Sequence, residues 1–427
     1  MREMKNSGIE WIGEIPVGWE VKKAKRIFKE RNEKGNEISL QLLSPSQKYG
    51  VIPQSELDSV VKVKENTDLS TFKTIHAGDY CISLRSFQGG FEYSVYEGVV
   101  SPAYHVFYAN IDINHIYYKF LFKCVVFIEK IASLPLTLRD GKNISFAMFG
   151  DIVIPIPPLE EQHRISTYLD TKCEKIDSII ARQQEVIEKL KAYKLSVITE
   201  AVTKGLNPDV RMKDSGVEWI GDVPEHWEIG KVGYFTTKIG SGKTPKGGAE
   251  IYVNDGVLFL RSQNIYDDGL RIEDATYITE EIDNEMINTR VYKNDVLLNI
   301  TGGSIGRACI YNLEEHANVN QHVCIIRTIN TIVTPEFMHY FWISDLGHTS
   351  INICQTGANR EGMNFEQISK TPIPIMSLME QLHICDYLDK KCSAIDSAIA
   401  KKQAIIEKLT AYKKSLIYEV VTGKREV

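Results

Sequence analysis

A chain of 427 residues, 43% apolar and 25% charged, has room for two to four domains with cores of their own. No apolar run reaches bilayer length, Met1–Asn6 lacks a signal-peptide core, and the eight scattered cysteines form no Cys-x-x-Cys pair; these features exclude a membrane span, a disulfide framework and a zinc site, and point to a reducing cytoplasm. The net charge of −6 does not favour nucleic acid, since residues 21–150 carry 17 Lys/Arg against 13 Asp/Glu but residues 229–371 carry 12 against 17, so any such role must be read from organisation.

In chain order, residues 1–20 are an N-terminal segment containing Ser7–Glu20, SGIEWIGEIPVGWE. Residues 21–155 form a first globular interior with short β-type runs at Asp79–Leu84 and Ala103–Tyr108, separated by turn residues. Arg85, Ser86 and Gln88 follow the first run, where side chains able to read base edges gather. The interior closes on Arg139-Asp140-Gly141-Lys142-Asn143-Ile144. Pro155, Pro157 and Pro158 then introduce a long helix over 156–204, stopped by Gly205. Its apolar residues repeat every seven: Cys173, Ile180, Ile187, Lys194, Ala201 in one row and Ile176, Gln183, Leu190, Val197 in the other.

A connector, 205–228, carries Ser215–Glu228, SGVEWIGDVPEHWE. It matches Ser7–Glu20 at nine of 14 positions with an offset of 208. The second interior, 229–371, has β-type runs at Val257–Leu260, Asp295–Ile300 and His322–Ile326. Its base-reading candidates are Lys243, Thr244, Lys246, Arg261, Gln263, Asn264, Asn320 and Gln321; Arg suits guanine, Asn and Gln suit adenine. It closes on Arg360-Glu361-Gly362-Met363-Asn364-Phe365, the same Arg-acid-Gly-x-Asn-apolar pattern as in the first. Such a loop suits either a turn closed by Asn and Gly or a DNA contact made through Arg139, Lys142, Asn143, Arg360 and Asn364. After Pro372 and Pro374 a second long helix fills 372–427, and Gln381–Thr422 repeats Gln162–Thr203 at 25 of 42 positions, offset 219. Its rows are Cys392, Ile399, Ile406, Lys413, Val420 and Ile395, Lys402, Leu409, Leu416.

The two offsets sum to the chain length, so the sequence reads as a ring cut between Val427 and Met1, with neighbouring termini and approximate two-fold symmetry. The two heptad helices, rods of roughly 60 Å at ~1.5 Å per residue, are expected to pair antiparallel through Ile176, Ile180, Ile187, Leu190, Ile395, Ile399, Ile406 and Leu409. Polar breaks at Gln183/Lys402 and Lys194/Lys413 would set the register. The expected fold class is α+β: two globular α/β recognition domains joined by a two-helix coiled-coil spacer.

Enzyme motifs fail on inspection. Gly240-Ser241-Gly242-Lys243-Thr244 resembles the end of a phosphate loop, but position 237 is Thr and Pro245 opposes the helix such a loop needs. Asn207-Pro208-Asp209-Val210 lacks the aromatic of a methyltransferase motif, Pro208-Asp209 has no nuclease partner downstream, and the ten histidines show no metal-binding spacing. No catalytic residue and no metal site is assigned.

Two dissimilar interiors set between near-identical helical blocks resemble the specificity subunits of type I restriction–modification systems. The wording of Ile154-Pro155-Ile156-Pro157-Pro158-Leu159-Glu160-Glu161-Gln162, Val319-Asn320-Gln321-His322-Val323 and Asn359–Phe365 is also similar. The second helix start departs from this, with Leu378-Met379-Glu380-Gln381. The resemblance implies a non-catalytic subunit whose two domains each bind half of a bipartite double-stranded DNA site. It also implies helices that set the gap and dock two methyltransferase subunits, with restriction subunits joining the complex. S-adenosylmethionine, ATP and Mg would then serve those partners, and this chain would bind none of them. The other readings of the residues are a coiled-coil scaffold for proteins and a self-contained DNA-modifying enzyme.

Overall fold

The computed structural model describes residues 2–35, 41–57, 69–134, 144–245, 247, 251–355 and 362–427. The chain divides into two compact units, Met1–Gln184 with Ala404–Val427, and Glu185–Gln403. Among the described residues no helix is long and apolar enough to cross a membrane.

Each unit is built on an antiparallel four-stranded sheet, and the two sheets have one topology. In the first unit the order is Phe28–Arg31, His105–Ala109, Tyr80–Ile82, Glu92–Tyr93. In the second it is Thr236–Ser241, Val323–Thr328, Val296–Asn299, Ala308–Ile310. Helix pairs follow the sheets in sequence, His115–Lys123 and Val125–Ala132 in the first unit, Pro335–Ile343 and Asp345–Gln355 in the second. The low similarity of the interiors therefore conceals a shared frame, because a sheet needs only an apolar face and not particular apolar residues. Phe28, Tyr80, Phe107, Phe122 and Phe149 fill the first core, with Phe107 and Phe149 centroids 4.9 Å apart. The second uses Val296, Leu298, Phe341 and Trp342.

One polar device recurs inside both. Arg31 Nε donates to Asp79 at 2.7 Å, and Arg327 Nε to Asp295 at 2.7 Å. Each aspartate also accepts from a backbone N–H three residues earlier, His76 at 2.9 Å and Tyr292 at 2.8 Å. The turn needs a left-handed residue just before the aspartate, supplied by Gly78 (φ +97°) and Asn294 (φ +73°).

The second unit adds a mixed sheet in the order Thr276–Ile278, Val257–Leu260, Ala317–Val319, Arg290–Val291. Among the described residues of the corresponding stretch, the first unit has two antiparallel strand pairs, Leu43–Ser46 with Gly50–Pro53, and Lys73–Ile75 with Gly98–Val100.

The long helices run Leu159–Lys204 and Leu378–Val421. Both start at equivalent residues, although only the first is preceded directly by Pro. What anchors the starts is common to both. Gln162 Oε1 accepts from Asn114 N–H at 2.9 Å, and Gln381 Oε1 from Thr334 N–H at 3.0 Å; Asn114 and Thr334 are the N-caps of the following helices. Trp19 Nε1 donates to Glu161 at 2.9 Å and Trp227 Nε1 to Glu380 at 3.0 Å. Gly205 and Gly423, both at φ +73°, follow the helix ends.

Within each unit the helices pack antiparallel. In the first, Cys173 and Ile176 share a core with Leu416 and Val420, while Ile180 and Leu409 pack at its margin. In the second, Val197 and Ala201 share a core with Leu388 and Cys392. Ile187 and Ile395 are also buried, and Leu190, Ile399 and Ile406 are partly buried. The polar break at Lys194/Lys413 is an ion pair in each unit: Lys413 with Asp177 at 2.6 Å, Lys194 with Asp396 at 2.7 Å. The two pairs are related by the 219-residue offset. At the other break, Gln183 Oε1 is buried without a hydrogen-bond partner among the described residues.

The first unit also shows how the chain ends meet. Lys424 Nζ donates to Ile12 O at 2.9 Å, and Val427 packs against the same core as Trp19. Met4–Ile9 pairs with Gly13–Pro16, as Met212–Asp214 pairs with Asp222–Pro224 in the second unit. The N-terminal strand thus occupies in the first unit the place that the connector occupies in the second.

Candidate nucleic-acid interface

In the second unit five loops converge at one edge of the four-stranded sheet, and their contacts with one another define the surface. The strand Val296–Asn299 runs out into Thr301-Gly302-Gly303-Ser304. Asn299 Nδ2 donates to Ser304 Oγ at 3.1 Å and to Ser262 O at 2.8 Å, which brings in the loop Arg261–Asn264. Ile300 N–H donates to His322 O at 3.0 Å, and Asn320 N–H to Leu260 O at 3.0 Å. Thr301 bridges to Gly362, which adds the closing motif. The fifth loop, Gly242–Thr244, crosses close to the backbone: a Cβ on Gly242 would lie 1.5 Å from Val319 O, so only glycine fits.

The candidate side chains divide by environment. Lys243, Thr244, Gln263 and Gln321 are exposed, and Arg261 is half-buried with its guanidinium 5.9 Å from the Tyr252 ring centre. Thr244 Oγ1 hydrogen bonds to Gln321 Oε1. Asn264 is buried and committed within its own loop, accepting from Arg261 N–H at 2.9 Å and donating to Arg271 O at 2.7 Å. Asn320 is 8% exposed and accepts from His322 N–H at 3.1 Å. Asn364 caps the helix Phe365–Lys370 in a reciprocal box with Gln367, so its side chain holds the turn. Lys246 and Arg360 lie outside the described residues.

In the first unit the equivalent strand exit carries the short helix Ser86–Gly89. Arg85 and Gln88 are exposed there, whereas Ser86 is buried and accepts from Ser83 N–H at 2.8 Å. Beneath this helix Lys123 Nζ donates to Gly89 O at 2.9 Å and to Glu92 at 2.6 Å. Burial pushes the Glu92 carboxyl up to about 7, against the pull of Lys123, and pushes the Lys123 ammonium down, against the pull of Glu92. Arg139, Lys142 and Asn143 lie outside the described residues.

Sequence reasoning missed Thr301, Ser304, His322 and the aromatic Tyr266, whose ring lies 5.0 Å from the Arg271 guanidinium and 4.8 Å from that of Arg307. The signal available for the first two was a Gly-Gly pair flanked by hydroxyls directly after an apolar strand. For Tyr266 there was none, since its neighbours come from separate loops.

Comparison with known proteins bears on this arrangement. The family model described as the type I restriction modification DNA specificity domain matches residues 16–189 and 224–410, one match in each half of the repeat. The chain is 24% identical over 290 residues to the type I restriction enzyme EcoBI specificity subunit of Escherichia coli, covering 66% of this chain and 60% of that one. It is 26% identical over 289 residues to the MjaVIII specificity subunit of Methanocaldococcus jannaschii, covering 67% and 65%. It is 24% identical to the putative MjaX specificity subunit of the same organism, over 97% of this chain and 96% of the relative. The match thus spans about two thirds or less of the first two relatives and nearly all of the third. In fold, the chain is similar to one from a solved type I restriction–modification system, with a TM-score of 0.72, 14% identity and coverage of 96% and 99%. It also resembles the HsdS subunit from Thermoanaerobacter tengcongensis, with a TM-score of 0.50, 15% identity and coverage of 96% and 98%.

Proposed function

Because the chain belongs to the type I restriction–modification DNA specificity family, and so is a specificity component rather than a catalytic one, we propose that it reads a two-part double-stranded DNA site, one half with each unit. The observation that carries this reading is the pair of sheets of one topology whose strand-exit loops differ. Arg85 and Gln88 project from a short helix in one, and Lys243, Thr244, Gln263 and Gln321 from converging loops in the other. A shared frame with different loops suits two half-sites of different sequence, since base edges are read by side chains on rigid supports. The antiparallel helices would set the gap between the half-sites. Their two-fold repeat would offer equivalent surfaces to two methyltransferase subunits, with restriction subunits completing the assembly. S-adenosylmethionine, ATP and Mg would act on those partners.

Methylation mapping in cells carrying the whole system tests the proposal. The expected result is a gapped adenine-methylation site with unlike halves. Exchanging residues 21–150 for those of a related subunit should change one half alone, and removing one turn from both long helices should shorten the gap and leave both halves intact. An ungapped site, or a perfect palindrome, would overturn it.

A further inference from the structure

We infer that Gln321 is a specificity-determining residue that reads an adenine–thymine pair; the inference rests on the DNA-reading role of the second unit. Gln321 is exposed, yet its amide is held at both ends. Thr244 Oγ1 bonds to Oε1, and Nε2 lies 3.3 Å from His322 Nε2. An amide nitrogen has no lone pair to offer, so His322 Nε2 accepts and the ring carries its proton on Nδ1, 2.5 Å from Thr301 Oγ1. The result is a chain from Thr301 through His322 and Gln321 to Thr244, crossing three of the five converging loops.

The backbone under Gln321 is fixed as well. Asn320 N–H bonds to Leu260 O, His322 O accepts from Ile300 N–H, and Asn320 Oδ1 closes on His322 N–H. Gly242 allows the Thr244 loop to lie against Val319, where any side chain would meet its carbonyl. An exposed glutamine ordinarily gives up its rotamer freedom on binding; here that loss has been taken in the free protein.

The count of remaining groups selects the base. A glutamine amide has two N–H donors and two acceptor sites on oxygen. One of each is committed to His322 and Thr244, which leaves one donor and one acceptor. Turning the amide over exchanges the two partners and leaves the same count. One donor beside one acceptor matches N7 and N6 of adenine in the major groove. Guanine, with two acceptors there, leaves the amide oxygen facing another acceptor.

The test is methylation mapping with the complete enzyme carrying Gln321→Ala. One position that is an A·T pair in the wild-type site should become degenerate, with discrimination reduced about 10- to 100-fold. The half-site of the first unit should stay unchanged. Thr244→Ala frees one end of the amide and should blur the same position to a smaller extent. An unchanged site in Gln321→Ala, or loss at a G·C position, overturns the inference while leaving the proposed function standing. So does a Thr244→Ala enzyme that blurs a different position. A wild-type enzyme that methylates no gapped site overturns the proposed function instead.

Discussion

Replacing Trp19 by Phe tests how each long helix start is tied to its unit. Trp19 is fully buried, and its indole N–H donates to Glu161, a carboxylate whose side chain is 9% exposed. Arg2 binds the same carboxylate through two nitrogens, one at 2.7 Å. Burial by itself would raise the Glu161 carboxyl; the bonds from Arg2 and Trp19 outweigh it and hold the group below the usual range. Loss of a hydrogen bond to a charged acceptor costs about 1.5–3 kcal/mol. For a cooperative unit of about 200 residues that lowers the melting temperature by roughly 3–12 °C. Trp227→Phe in the second unit should cost less, because Glu380 is 29% exposed and water can replace the lost indole N–H. Calorimetry should show Trp19→Phe shifting the transition of the first unit. A double-mutant cycle with Glu161→Gln should return a coupling of about 1.5 kcal/mol or more. The linkage has a definite sign: a carboxyl with a depressed folded pKa stabilises above its unfolded pKa of about 4.3, and this is lost as pH falls through the folded value. The Trp19→Phe penalty should therefore shrink in acid. A coupling below about 0.5 kcal/mol, or a penalty unaffected by pH, would show that Trp19 acts by packing alone.

Lys123→Ala should destabilise the first unit by about 1–3 kcal/mol in chemical denaturation, since it leaves a buried carboxyl without its partner and that carboxyl takes up a proton rather than stay charged, whereas Glu92→Leu with Lys123→Met should be close to neutral. Because burial raises Glu92 to about 7 in the folded chain, the folded state holds the extra proton and the stability of this unit should fall as pH rises from about 4.3 to 7. Glu92→Gln should flatten that slope, and an unaltered pH profile would refute the assignment. Double-mutant cycles on Lys413–Asp177 and Lys194–Asp396, whose side chains are 24–56% exposed, should each give about 0.2–1 kcal/mol, weakened by salt; a coupling above about 2 kcal/mol would contradict the exposed geometry. Joining Val427 to Met1 and opening the chain between Asn207 and Pro208 should yield a folded subunit that methylates the same gapped site, and a permutant with a different gap length would show that the termini and the connector are not equivalent.

The repeat, the ring and the two long helices were legible in the sequence because each depends on local, periodic information. Offsets of 208 and 219 align Trp19 with Trp227 and Glu161 with Glu380, but not the bond that each tryptophan makes to its glutamate. Heptad spacing identified Ile176, Ile180 and Leu409 as seam residues, since a helix face follows from period alone. The kinship of the two interiors was not legible. Arg31 and Asp79, like Arg327 and Asp295, come together only when separated strands pair, and their sequence spacings differ. The site was half legible. Thr244, Gln263 and Gln321 were recognisable as polar loop residues, but Asn264, Asn320, Asn364 and Ser86 looked the same on the page. Which of them faces water and which bonds its own backbone is decided by how five loops close on one another. That closure rests on contacts such as Thr301 with His322 and Gly242 with Val319, and hydrogen-bond partners brought from distant parts of the chain leave no period to read.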